Sequence, residues 1–141
     1  MKIIMWILGI VAPYIVAFGL DTMFSGLERS VSGNFTFIAL LAGKDFLIFF
    51  AVVLLSCIII PAPKKYAAAA SCILNMVIIL GIIIIVYGVF PEGHSKPAPA
   101  VIFADAMGSV AGLITGAFAG YKLFQNNGWE PEELDITAKA I

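Results

Sequence analysis

Three ionisable residues stand inside stretches that are otherwise apolar: Lys44 and Asp45, adjacent in one run, and Asp105 in another. A charge held in hydrocarbon costs at least about 2.5–3.5 kcal/mol on insertion scales, so such residues face a bundle interior or a watery path and find partners. Two uses follow from this chemistry. Lys44 and Asp105 can neutralise each other as an ion pair near the membrane surface, with the lysine stem snorkelling outward. Alternatively, Asp105 receives a proton or a cation on a polar path, to which Asn75, Ser71, Ser109 and Thr115 add hydrogen bonds. If the two runs enter from the same surface, Lys44 and Asp105 lie at similar depth, and a pair between them is expected.

Other reactive side chains are few. The single histidine, His94, lies in a polar stretch beside Glu92, with no HExxH spacing and no second imidazole for haem or a metal. It reads as a solvated loop residue. Cys57 and Cys72 both fall in apolar runs and read as small buried hydrophobes; two thiols alone are too few ligands for zinc. Neither a GxxxxGK[ST] loop nor a convincing GxGxxG turn is present. No cofactor and no metal are expected, and the chain reads as a non-enzyme.

The elements that position these residues follow from composition. Of 141 residues, 62% are hydrophobic and 12% charged, with mean hydropathy +1.06. Soluble domains average about 45–50% apolar and about 25% charged. A net charge of -1 supplies no basic field for nucleic acid, which is excluded as a partner. Four stretches reach the roughly 20 residues that a hydrocarbon core requires: Ile3 to Leu20, Phe35 to Ile60, Ala67 to Phe90, and Pro99 to Phe124. They lack period-2 alternation, and lipid offers no partner to open backbone groups, so they are expected as helices. The predicted fold is all-α, a polytopic transmembrane helical bundle of about four spans across residues 1–124. Residues 125–141 form a short tail.

Three local ambiguities remain. Lys2, the following apolar run and Ala17-Phe18-Gly19 resemble a secretory signal, although an uncleaved first helix bent at Pro13 is expected. Gly43 could end a short re-entrant segment, Phe35 to Ala42, but that leaves only a short span from Phe46 to Ile60. Asn34-Phe35-Thr36 matches the glycosylation pattern; so close to a span, it is set aside.

The most specific pattern is in the fourth span, where Gly108, Gly112, Gly116 and Gly120 recur every fourth residue and Ala104 and Ala100 extend the spacing backwards. At 3.6 residues per turn these positions form one slowly drifting groove without side chains. Membrane helices associate through close backbone approach, which small-xxx-small stripes permit. The stripe resembles the glycine zipper found in many channel, pore and assembly-forming membrane proteins, a resemblance confined to one helix. It can pack within the chain or between subunits. Gly81 and Gly88, seven apart on the third span, offer a partner surface in the same chain, which favours the first arrangement.

Orientation follows from the basic residues. Placing the N-terminus inside puts Lys2, Lys64, Lys65, Lys122 and Lys139 in the cytoplasm, against Arg29, Lys44 and Lys96 outside. Both termini are therefore expected to be cytoplasmic, in a plasma or bacterial inner membrane, with Tyr121 and Trp129 at the interface. The expected function is helix–helix assembly, as an accessory subunit of a membrane complex or as a binder or immunity-type factor for another membrane protein. The alternative is a homo-oligomeric channel, pore or small transporter with Asp105 on the permeation path. The partners are lipid together with other membrane-protein subunits or copies of the chain itself.

Overall fold

A computed structural model describes residues 2–28, 34–61, 63–89 and 98–130. It contains four long helices: α1, Lys2–Glu28; α2, Asn34–Ile59; α3, Lys64–Ile84, continued by a π-helical turn over Ile85–Val89; and α4, Pro99–Phe124. All four are long and apolar enough to cross a membrane. The chain is an all-α integral membrane bundle.

Two boundaries differ from the sequence expectation. The first helix does not stop at Leu20 but runs on to Glu28. Thr22 and Ser25 donate their hydroxyls to the carbonyls of Phe18 and Asp21, both at 2.8 Å, so polar side chains beyond the predicted span bond within the helix. Asp21 thereby becomes a helical residue. The third helix begins at Lys64 rather than Ala67, and α2 is continuous through Gly43, with no re-entrant break. The expected loop residues Arg29, Glu92, His94 and Lys96, and the tail beyond Glu130, lie outside the described residues.

α2 packs on each of the other three helices. Its closest neighbour is α4, and the reason is the glycine stripe. A β-carbon at Gly108 or Gly112 would overlap the carbonyl oxygen of Ala42 or Phe46, one at Gly116 would stand 2.9 Å from that of Phe50, and one at Gly120 would stand 2.9 Å from Cys57 Sγ. The two backbones meet with nothing between them, which only glycine permits. Contacts at 42 with 108, 46 with 112 and 50 with 116 advance together, so α2 and α4 run parallel. Ala104 is buried on the same face.

α1 lies against the other side of α2 and runs antiparallel to it. Gly9 sits on the Ile60 side chain at one end, and Asp21 meets Lys44 at the other. Pro13 is buried within α1. α3 packs mainly through its first half, where Ala67, Ala68, Ser71 and Asn75 are buried. Its second half is largely isoleucine and is not drawn in. Small residues let the helix approach at its start, and β-branched residues hold it off further along.

The end of the bundle near Ile60 is tied together. Lys64 donates its ammonium to the carbonyls of Cys57 at 2.7 Å and Ile60 at 2.8 Å, supplying a cation to the C-terminus of α2, and lies 4.6 Å from the centre of the Phe124 ring. The chain after α4 turns at Gly128, which has φ 80°, and returns to α3. There the Gly128 and Trp129 carbonyls accept from the backbone N–H groups of Lys64 and Lys65 at 2.7 and 3.2 Å, satisfying donors that a helix start leaves open.

Candidate functional site

The divergence of α3 leaves a cavity of about 330 Å³ between α2, α3 and α4. Helical periodicity supplies its walls. From α3 come Ile79, Ile82, Ile83 and Val86, spaced as one face; from α4 come Val101, Ile102, Asp105, Ala106 and Ser109; from α2 come Asp45 and Phe49, one turn apart. Val86 belongs to the π-helical turn, a local widening that recurs at functional sites.

Asp45 and Asp105 are thus brought into one site, and their carboxyls lie within interaction range of each other. Asp105 Oδ1 is fully buried without a hydrogen-bond partner. Lys44 points elsewhere. Its ammonium is 3.1 Å from Asp21 of α1 and 3.9 Å from Asp45, with 11% of the side chain exposed. The expected Lys44–Asp105 pair is therefore replaced by Lys44–Asp21, because α1 extends a further two turns and delivers a carboxylate to that level. Asp21 and Asp45 thus flank the Lys44 ammonium, and Asp105 stands beside Asp45.

Asn75 is not part of this site. It is 1% exposed, donates to the Ser71 carbonyl at 2.7 Å and accepts from the Tyr14 hydroxyl at 3.1 Å. Ser56 donates its hydroxyl to the Val52 carbonyl at 2.8 Å and lies 3.4 Å from Ser71 Oγ, so the cluster joins α1, α2 and α3. Of the other polar candidates, Ser109 reaches the cavity, while Thr115 is exposed on α4. Cys57 is buried in the apolar core, and Cys72 packs beside it, its thiol 3.9 Å from the Leu113 carbonyl.

Gly81 and Gly88 do not receive the α4 stripe. A β-carbon at either would meet nothing within 4 Å, and α2 takes their expected role. Among the described residues no group of three His, Cys, Asp or Glu side chains could hold a metal ion. Comparison with protein-family models, curated proteins and solved structures finds no match to this chain. The site is read from its own geometry.

Proposed function

We propose that the protein receives a cation within the membrane at Asp45 and Asp105, as a small transporter or channel component. The observation that carries this reading is the buried, unpartnered Asp105 Oδ1 beside a second carboxyl on the wall of a cavity. Two carboxyls side by side in low dielectric do not both carry charge unless a proton or another cation joins them, so the pair is a receptor for positive charge. Residues that expensive in lipid call for a use, and Lys44 is directed to Asp21 and Asp45. The site lies toward the end of the bundle where α2 and α4 begin, which the lysine distribution assigns to the outer side, with both termini cytoplasmic.

The test is cation or proton flux into vesicles of the reconstituted protein. Asp105→Asn and Asp45→Asn should each abolish it, and flux unaltered by both removes the role.

A second reading, assembly with another membrane protein, draws on α1. That helix packs substantially on α2 alone, leaving Ile3, Ile7, Ile15 and Phe18 at least half exposed. As an accessory subunit or immunity-type binder, the chain would dock a foreign helix there, since the glycine stripe is already occupied by α2. Sizing the protein extracted in mild detergent separates the readings: recovery only with foreign subunits favours assembly.

A further inference from the structure

The cavity is poorly suited to a bare ion. A proton needs no volume, and a hard metal cation takes six or more oxygens, whereas the walls offer the Asp45 and Asp105 carboxyls and the Ser109 hydroxyl. The remaining eight lining residues are apolar. At about 330 Å³ the space falls in the range of small-molecule sites. Its polar groups are gathered on α2 and α4, while α3 contributes only Ile79, Ile82, Ile83 and Val86. The cavity therefore has a charged side and a greasy side.

Resting on the cation reading above, we infer that the cavity binds an organic ammonium ion with an apolar body, the charged nitrogen against the adjoining Asp45 and Asp105 carboxyls and the hydrocarbon part against the isoleucine face of α3. The carboxyls hold the charge through geometry that the α2–α4 contact keeps rigid. Asp45 directly precedes Phe46, whose backbone meets Gly112, and Asp105 stands one turn before Gly108, which meets Ala42. That contact fixes the backbone from which both carboxyls project. The α3 wall is the adjustable side, since no glycine there is packed on a neighbour and no residue of the helix after Asn75 is buried. A quaternary nitrogen needs no hydrogen bonds, which suits a site with carboxylates but few other acceptors.

The experiment measures saturable binding of labelled benzyltrimethylammonium to the whole protein in nanodiscs of zwitterionic lipid, and asks which compounds displace it. Unlabelled benzyltrimethylammonium should displace the label. Neopentylbenzene, its uncharged carbon counterpart, and sodium should not. Asp45→Asn with Asp105→Asn should weaken binding more than tenfold. Ile83→Trp, at a partly buried position on the apolar side, leaves both carboxyls and should weaken it comparably in protein of unchanged size and melting temperature. Absence of saturable binding to the wild-type chain, or displacement by neopentylbenzene, overturns the inference. So does Ile83→Trp binding as the wild type does. If the probe fails to bind while proton or sodium flux still depends on Asp105, the organic-cation assignment falls and the cation reading stands. If neither probe binding nor flux depends on the carboxyls, both fall.

Discussion

Gly112 and Phe46 meet backbone to backbone: a β-carbon on Gly112 would be 3.1 Å from Phe46 Cα and closer still to its carbonyl oxygen. The contact repeats one turn either way, at Gly108 with Ala42 and at Gly116 with Phe50. α2 and α4 behave as one double rod on which the other two helices are hung.

Gly108→Ala and Gly112→Ala should therefore each destabilise the protein by about 1–3 kcal/mol, because backbone cannot step aside as a side chain can. Gly81→Ala and Gly88→Ala, which meet open space, should stay within about 0.5 kcal/mol of the parent. Thermal unfolding in detergent measures both sets, and equal losses in the two sets would remove the assigned role of the stripe.

Tyr14→Phe removes the hydrogen bond that Asn75 accepts across helices. The expected loss is about 0.5–1 kcal/mol, the usual size of such bonds in membranes. In an Asn75→Ala background the same change should cost nothing more. Additive losses in this double-mutant cycle would show that the two side chains do not act together.

Lys44→Met should be among the most damaging changes, on the order of 3 kcal/mol, because it leaves carboxyls on α1 and α2 without their ammonium. Adding Asp45→Asn should restore part of the loss. Asp21→Asn alone should cost less, since half of the Asp21 side chain is exposed. Urea or thermal denaturation of the four proteins ranks them, and the reverse order for Lys44→Met and Asp21→Asn contradicts the assignment.

Lys64→Met should lower stability by about 1–2 kcal/mol through loss of the bonds to the Cys57 and Ile60 carbonyls. Its neighbour Lys65 pairs with Glu130 at the surface, where ion pairs contribute little, so Lys65→Ala should leave the melting temperature unchanged. The two variants compared in one detergent make the test.

The spans and the glycine stripe were legible because lipid imposes strict rules on length and close approach, and Gly108, Gly112, Gly116 and Gly120 obey them. The partner of the stripe was not legible. Gly81 and Gly88 matched it by spacing, yet spacing says nothing about which helix stands opposite, and α2 accepts the stripe through the backbone at Ala42, Phe46 and Phe50, where no sequence signal exists. Asp105 was legible by its cost in lipid, but its neighbour was misassigned. Asp21 lies just past Leu20, where the first predicted span ends, so the sequence offers no reason to place it opposite Lys44. Leu20, Met23, Phe24 and Leu27 recur at helical spacing, and that is the available signal that α1 goes further and takes Lys44 for itself.

The carbonyls of Gly128 and Trp129 close the first turn of α3, which sets an order of manufacture. The third helix leaves the ribosome well before the residues that complete its beginning, and until they arrive water must serve those N–H groups. The finished bundle is thus sealed by a segment made after all four spans, and the start of the third helix is completed only when the chain beyond the fourth returns to it.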